Sequence, residues 1–102
     1  MTSVIQDNLE QVVTACLKRH VARLELFGSA ATGAYDPHRS DLDFLVEFLP
    51  LDPTQLAGAY FGLASDLEAI FDRPVDLVTS TSIRNPYFRE SIDLSRRVLY
   101  AA

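Results

Sequence analysis

The chain has 102 residues, of which 48% are hydrophobic and 23% charged, as is typical of one soluble globular domain. Its 14 acidic and 9 basic residues give a net charge of -5, which argues against long nucleic acid as the main ligand. A single cysteine, Cys16, excludes an internal disulfide and a cysteine-based zinc site. No signal-like segment and no apolar run near the ~18 residues of a membrane span are found. We therefore expect one cytoplasmic domain over residues 1–102, with no membrane association.

The N-terminal part of the chain predicts a helix followed by a strand. Ser3 and Gln6 form a capping-box pattern, and the helix should end near His20. Apolar residues at helical spacing define its buried face: Ile5, Leu9, Val12, Val13, Cys16 and Leu17. Residues 23–27 alternate charged and apolar side chains, which predicts a strand that ends at Gly28.

The clearest predicted strand covers residues 41–48, after a polar and turn-rich stretch over residues 29–40. Alternate residues of a strand point to opposite faces of the sheet. One face of this strand is apolar and the other largely acidic. The apolar face consists of Leu42, Phe44, Val46 and Phe48, and the other of Asp41, Asp43, Leu45 and Glu47.

The C-terminal half predicts helix, strand and helix. Asp52 and Pro53 are typical of a helix start, and this helix should end before Arg73. Residues 75–79 predict a short strand. A second cap-and-proline pattern starts a C-terminal helical segment that carries Phe88, Ile92 and Leu99. The fold class is therefore α/β, with helices packed on a three-stranded sheet.

Gly28 and Ser29 come directly after a predicted strand, where a glycine lets the backbone turn sharply. If a helical turn starts after Ser29, its unpaired N–H groups favour a phosphate. The same dipeptide is common in ordinary turns, so alone it does not identify a site.

Three aspartates are candidate metal ligands. Asp41 and Asp43 lie two residues apart on one strand face, with Cα atoms roughly 6.5–7 Å apart, and Mg²⁺ prefers such oxygen ligands. The alternative is a solvated acidic strand face. Asp76 lies between apolar residues of a short strand, where backbone donors alone could satisfy it. If the two strands are neighbours, the three carboxylates meet and can assemble a two-metal site for phosphoryl transfer.

The stretch LFGSAATGAYDPHRSDLDFLVEF, residues 26–48, resembles the glycine-serine and D-x-D signature of the DNA polymerase beta nucleotidyltransferase superfamily. The short chain is similar to the minimal nucleotidyltransferases, which include the antitoxin partners of HEPN-domain ribonuclease toxins. Asp76, in RPVDLVT, matches the family's third carboxylate, and the tail NPYFRESIDLSRRVLYAA also resembles these small proteins. The resemblance implies a polymerase-beta-like fold with a mixed sheet.

The resemblance also implies roles for individual residues. Gly28 and Ser29 would hold the triphosphate, Asp41 and Asp43 would bind Mg²⁺, and Asp76 would be the third ligand or the general base. The loop residue Arg39 is a further candidate for a phosphate contact, although loop charges are commonly only solvated.

Two departures from the family pattern stand out. The spacer between Ser29 and Asp41 has eleven residues, one more than the commonest form, and Thr32 stands where many members carry arginine. The longer spacer is a tolerable loop change, whereas the threonine removes a possible phosphate contact.

The leading functional hypothesis is a Mg²⁺-dependent adenylyltransferase that moves AMP from ATP onto a hydroxyl of a HEPN-type toxin. The alternative is a weak or inactive binding module that neutralises the toxin by occlusion. Transfer to an antibiotic or to a nucleic-acid end is disfavoured, because no substrate domain is predicted and the charge is acidic.

Overall fold

The computed structural model describes residues 3–28, 42–79 and 96–102. Its helices and strands follow one another as α1 Ser3–Asp7, α2 Leu9–Lys18, β1 Val21–Phe27, β2 Leu42–Phe48, α3 Pro53–Phe71, β3 Val75–Thr79 and β4 Arg97–Ala101. Among the described helices, none combines the length and the apolar character that crossing a bilayer requires.

The sheet is mixed and has the strand order β3-β2-β1-β4. Strand β1 pairs antiparallel with both β2 and β4, whereas β2 and β3 are parallel. Parallel neighbours need a crossover connection, and α3 forms it between β2 and β3. The α/β class, the mixed sheet and the first three strands are thereby confirmed.

The fourth strand corrects the predicted C-terminal helix. Leu99, expected on a helix, lies in β4, where its side chain joins the core. The sequence around it, Arg-Val-Leu-Tyr-Ala, is rich in residues that favour strands, and β1 offers a backbone edge for it to pair with. Phe88 and Ile92, the other two residues assigned to this helix, lie outside the described part of the chain.

The predicted first helix is divided into two at Asn8. The Asn8 side chain donates a hydrogen bond to the Val4 carbonyl at 2.8 Å, and its backbone N–H donates to the Ile5 carbonyl at 3.2 Å. Asparagine side chains compete in this way with the regular helical pattern. Leu17, predicted on the buried face of this helix, is instead 64% exposed. The Ser3 side chain, on which the predicted capping box depends, is not among the described features.

The main core lies between the helices and one face of the sheet. The predicted apolar face of β2 is confirmed, since Leu42, Phe44 and Val46 are buried there and Phe48 packs against them. Cys16 is also fully buried in this core, as predicted, and burial raises the pKa of its thiol to about 12. The opposite face of the sheet carries the acidic residues of β2.

Helix α3 begins as the sequence predicts. The Asp52 carboxylate accepts a hydrogen bond from the Gln55 backbone N–H at 2.8 Å, and the Gln55 side chain accepts one from the Asp52 N–H. The two glycines of this helix are not in close contact with the sheet. Gly58 faces open space, and Gly62 lies under the guanidinium of Arg19.

The Arg19 side chain joins α2 to α3 by an ion pair. Its Nε lies 2.8 Å from Asp66 Oδ2, and both side chains are about three-quarters buried. The hydrogen bond from Arg19 lowers the pKa of Asp66. A carboxyl whose pKa is lowered by folding stabilises the fold above its unfolded pKa, and this contribution is lost as the pH falls through the folded pKa.

Replacing Asp66 with asparagine is therefore expected to lower the free energy of unfolding by about 1 kcal/mol at pH 7. The difference from the wild type should shrink below about pH 4, where the unfolded carboxyl takes up a proton. Urea unfolding at pH 7 and at pH 3 measures both values. Glu68→Gln, an exposed acid on the same helix, is the control. An equal loss in the two variants, or a loss independent of pH, would contradict this role of the pair.

Candidate active site

Two of the predicted carboxylates lie side by side on neighbouring strands. In the parallel pairing of β2 and β3, Asp43 is the partner of Asp76, and such neighbouring strands are about 4.8 Å apart. The residues that follow them, Phe44 and Leu77, are buried in the main core. Because side chains alternate along a strand, both aspartates point to the other face of the sheet. The adjacency on which the predicted triad depends is present.

The two aspartates differ in their exposure. Asp43 is half-buried, whereas Asp76 is exposed to solvent rather than enclosed in its apolar strand. Like charges placed directly opposite each other on a sheet repel and are destabilising. A bound divalent cation would relieve that repulsion, and carboxylate oxygens are the ligands that Mg²⁺ prefers. The donor set therefore fits the predicted metal.

Gly28 lies against the carboxylate of Asp43. It follows Phe27, which pairs with Asp43 across β1 and β2. Its backbone has a φ of 74°, a left-handed conformation that is unfavourable for residues other than glycine. A Cβ atom at this position would lie 2.5 Å from Asp43 Oδ2, closer than real contacts allow. Only glycine lets the turn approach the carboxylate so closely.

The other predicted site residues lie outside the described part of the chain. These are Ser29, Arg39 and Asp41, together with Thr32. Within residues 3–28, 42–79 and 96–102, no group of three or more potential ligands is close enough to hold a metal ion. Since Asp41 is not among those residues, the assignment of all three aspartates as ligands stays a prediction.

One buried charge on this face was not singled out from the sequence. Glu25 is 2% exposed, and its Oε1 lies 2.8 Å from Nε of Arg23. Its other carboxylate oxygen, Oε2, lies 3.6 Å from a terminal guanidinium nitrogen of Arg96. The alternation of β1 indicates only that Glu25 and Arg23 share a face. The contribution of Arg96, a residue distant in sequence, has no local signal.

A large cavity lies elsewhere, on the helical side of the sheet. It has a volume of about 970 Å³ and is an open groove between α2 and α3. Its lining is largely aliphatic, with a few charged residues such as Lys18 and Asp66. Size alone therefore does not locate the chemistry, and the carboxylate face is the better candidate because it gathers the reactive groups.

Comparison with known proteins gives a consistent result. Residues 9–99 match the family described as the nucleotidyltransferase domain. Two chains of Methanocaldococcus jannaschii that are provisionally named protein adenylyltransferases are 40% and 37% identical to this chain over 76 residues. In each case the match covers 74% of this chain and 74% of the relative.

Solved structures share the fold. A chain described provisionally as a minimal nucleotidyltransferase has a TM-score of 0.67 and 26% identity, covering 91% of this chain and 90% of its own. A toxin-antitoxin structure with AMP-PNP has a TM-score of 0.69 and 24% identity, with 93% and 74% covered. A chain from a complex of a tri-AMPylated Shewanella oneidensis HEPN toxin with an MNT antitoxin has a TM-score of 0.64 and 22% identity. The match covers 95% of this chain and 72% of that one. These likenesses confirm the predicted fold of the minimal nucleotidyltransferases, with four strands in place of three.

Proposed function

Because this chain belongs to the nucleotidyltransferase domain family, we propose that it is a Mg²⁺-dependent enzyme that transfers AMP from ATP to a hydroxyl group of a partner protein. The partner in this proposal is a HEPN-type ribonuclease toxin, which the modification silences. The observation that carries the proposal is the pairing of Asp43 with Asp76 beside the turn at Gly28. This arrangement offers oxygen ligands and a close backbone approach in one place.

Each residue has a role in the proposed reaction. The backbone at Gly28 and Ser29 would hold the triphosphate, with Arg39 as a further phosphate contact. Asp41, Asp43 and Asp76 would hold the metal, which when bound neutralises charge on the phosphates and on the transition state. A carboxylate, for which Asp76 is the candidate, would take the proton of the acceptor hydroxyl. The acceptor oxygen bonds to the α-phosphorus, the bond to the β-phosphate breaks, and pyrophosphate leaves.

A protein acceptor is favoured by the relatives. The two archaeal chains are named as adenylyltransferases of proteins, and one structural neighbour comes from a complex in which a HEPN toxin is AMPylated. The net charge of -5 disfavours a nucleic-acid acceptor, since phosphate backbones attract basic surfaces.

The test is a transfer assay with the product of the adjacent reading frame as acceptor. ATP labelled at the α-phosphate is expected to label the partner when Mg²⁺ is present, and the ribonuclease activity of the partner should fall in parallel. ATP labelled at the γ-phosphate is the matched control and should leave no label, because that phosphate departs with pyrophosphate. If the two proteins bind each other and α-label never transfers, the enzymatic proposal fails.

Neutralisation by occlusion is the second candidate. It is favoured by Thr32, which replaces an arginine that many members of the family carry. Occlusion would not need the carboxylates, so removing them distinguishes the two modes of action.

A further inference from the structure

The buried carboxylate of Glu25 binds two arginines that come from different parts of the chain. Arg23 lies two residues away on β1, and its Nε contacts the carboxylate at 2.8 Å. Arg96 directly precedes β4 and approaches the other carboxylate oxygen at 3.6 Å. Both arginine side chains remain partly open to solvent, with exposures of 47% and 40%. Glu25 thus fixes two cationic groups at one face of the sheet.

This face is the one that carries the aspartates. Leu24 and Leu26 of β1 are buried in the main core, so Glu25 and Phe27 point to the opposite side. Glu25 pairs with Leu45, which with Phe27 forms a second small apolar cluster on that side. Asp43 is therefore diagonal to Glu25, at a separation of about 7–8 Å between Cα atoms.

The strand pairing brings Arg96 into line with the aspartates. Leu26 pairs with Arg97, so the preceding residue, Arg96, continues this antiparallel register toward Phe27. Phe27 pairs with Asp43, and Asp43 with Asp76. Phe27, Asp43 and Asp76 thus form one row across the sheet, and extending the pairing of Leu26 with Arg97 by one residue places Arg96 at its end. With strands about 4.8 Å apart, the Cα atoms of Arg96 and Asp43 are separated by about 10 Å, which an arginine side chain can largely span.

We propose that Arg96, held in place by Glu25, binds the triphosphate of the nucleotide; the inference rests on the proposed function. A triphosphate entering beside Asp43 and Asp76 meets like charge, and a cation at the end of the row offsets it in addition to the metal. A guanidinium can pair with a carboxylate and a phosphate at the same time, because its five N–H donors point in several directions. Glu25 is a positioning residue, and Arg23 secures it from the other side.

The row also explains why Arg96 rather than Arg23 is assigned this contact. Arg23 lies four residues from Phe27 along β1, which at about 3.3 Å per residue places it roughly 13 Å from the row of aspartates. Arg96 also provides a basic group in a chain that has threonine at position 32, where the family commonly has arginine.

The test compares Arg96→Gln with Arg97→Gln. Both remove one exposed arginine from neighbouring positions, but Arg97 pairs with a residue that faces the core and its guanidinium bonds to the Arg96 carbonyl. Isothermal titration with Mg²⁺ and a non-hydrolysable ATP analogue should show affinity weakened about five- to tenfold for Arg96→Gln, as for the loss of one charge-assisted contact. The affinity of Arg96→Gln for AMP, which lacks the β- and γ-phosphates, should fall by less than about twofold. The affinity of Arg97→Gln should fall by less than about twofold for either ligand.

Two further variants separate ligand binding from support of the fold. Arg96→Lys keeps the charge and should recover most of the analogue affinity. Glu25→Gln should reproduce the selective loss for the analogue over AMP. The Arg96→Gln variant should fold, because the buried carboxylate of Glu25 retains its ion pair with Arg23. Thermal unfolding measures this. Equal losses for the analogue and AMP, or equal losses in the Arg96→Gln and Arg97→Gln variants, would overturn the inference while leaving the proposed transferase intact. A wild-type protein that neither binds the analogue nor transfers label would overturn both.

Discussion

Replacing Asp43 with asparagine is expected to lower the rate of AMP transfer by about 100-fold or more. Asp43 is at the centre of the candidate site, since it pairs with Phe27 on one side and Asp76 on the other, and its carboxylate lies against Gly28. Asparagine has nearly the same shape, so the packing of β2 should persist while the negative charge is lost. The initial rate of α-label transfer to the partner, measured at a fixed Mg²⁺ concentration, gives the effect.

Glu47→Gln is the matched control for this variant. Glu47 is on the same face of the same strand, four residues from Asp43, and it is exposed. It should transfer AMP at a rate within about twofold of the wild type, since exposed charges outside a site contribute little. Similar losses in both variants would assign the effect to the net charge of the face instead of to the site. If Asp43→Asn stops transfer and the toxin is still silenced, occlusion is the mode of neutralisation.

The two aspartates also give a test of whether they act together. If Asp43 and Asp76 hold the same ion, the double asparagine variant should be little slower than the slower of the two single variants, because residues that act as a unit are non-additive. Independent contributions would multiply. The transfer rates of the four proteins in the cycle decide between the two.

The parts of the fold that were predictable from sequence are those in which local pattern and tertiary burial agree. Strand β2 is the clearest case, because its period of two separates Leu42 and Phe44 from Asp43 and one of its faces is buried. The start of α3 was equally clear, since Asp52 and Pro53 are a typical cap and first-turn residue, and the Asp52 carboxylate accepts a hydrogen bond from a backbone donor of the first turn.

The sequence-based predictions failed where contacts with residues distant in sequence determine the local structure. The cap-and-proline pattern upstream of Leu99 predicts a helix, but pairing with β1 makes Leu99 part of a strand. The surroundings of Gly62 likewise depend on a distant residue, because the side chain of Arg19, directly after α2, occupies the space above it. A local sequence pattern does not contain the position of either partner.

The candidate site was predictable only on the condition that the strands carrying the aspartates are neighbours. Three aspartates and a glycine-serine turn suggested a cation and a phosphate, but nothing in the sequence fixed which strands are adjacent. The parallel pairing of β2 and β3 places Asp43 opposite Asp76, and a different strand order would have separated them. The contact of Glu25 with Arg96 was not predicted, because these residues belong to opposite ends of the chain and meet only through β4.

Replacing Gly28 with alanine is expected to reduce AMP transfer by about tenfold to 100-fold, through displacement of the Asp43 carboxylate. The added Cβ would lie 2.5 Å from Asp43 Oδ2, so either the turn or the carboxylate must shift, and a carboxylate displaced by about 1 Å no longer matches its ligand position. The φ of 74° adds a backbone cost of about 1–2 kcal/mol, which urea unfolding should detect.

Gly58→Ala is the matched control, because a Cβ there meets nothing within 4 Å and alanine favours the helix by up to about 1 kcal/mol. That variant should be as active as the wild type and somewhat more stable. If Gly28→Ala were destabilised as expected but fully active, the close approach of the turn to Asp43 would have no part in the chemistry, and the triphosphate would have to be held elsewhere.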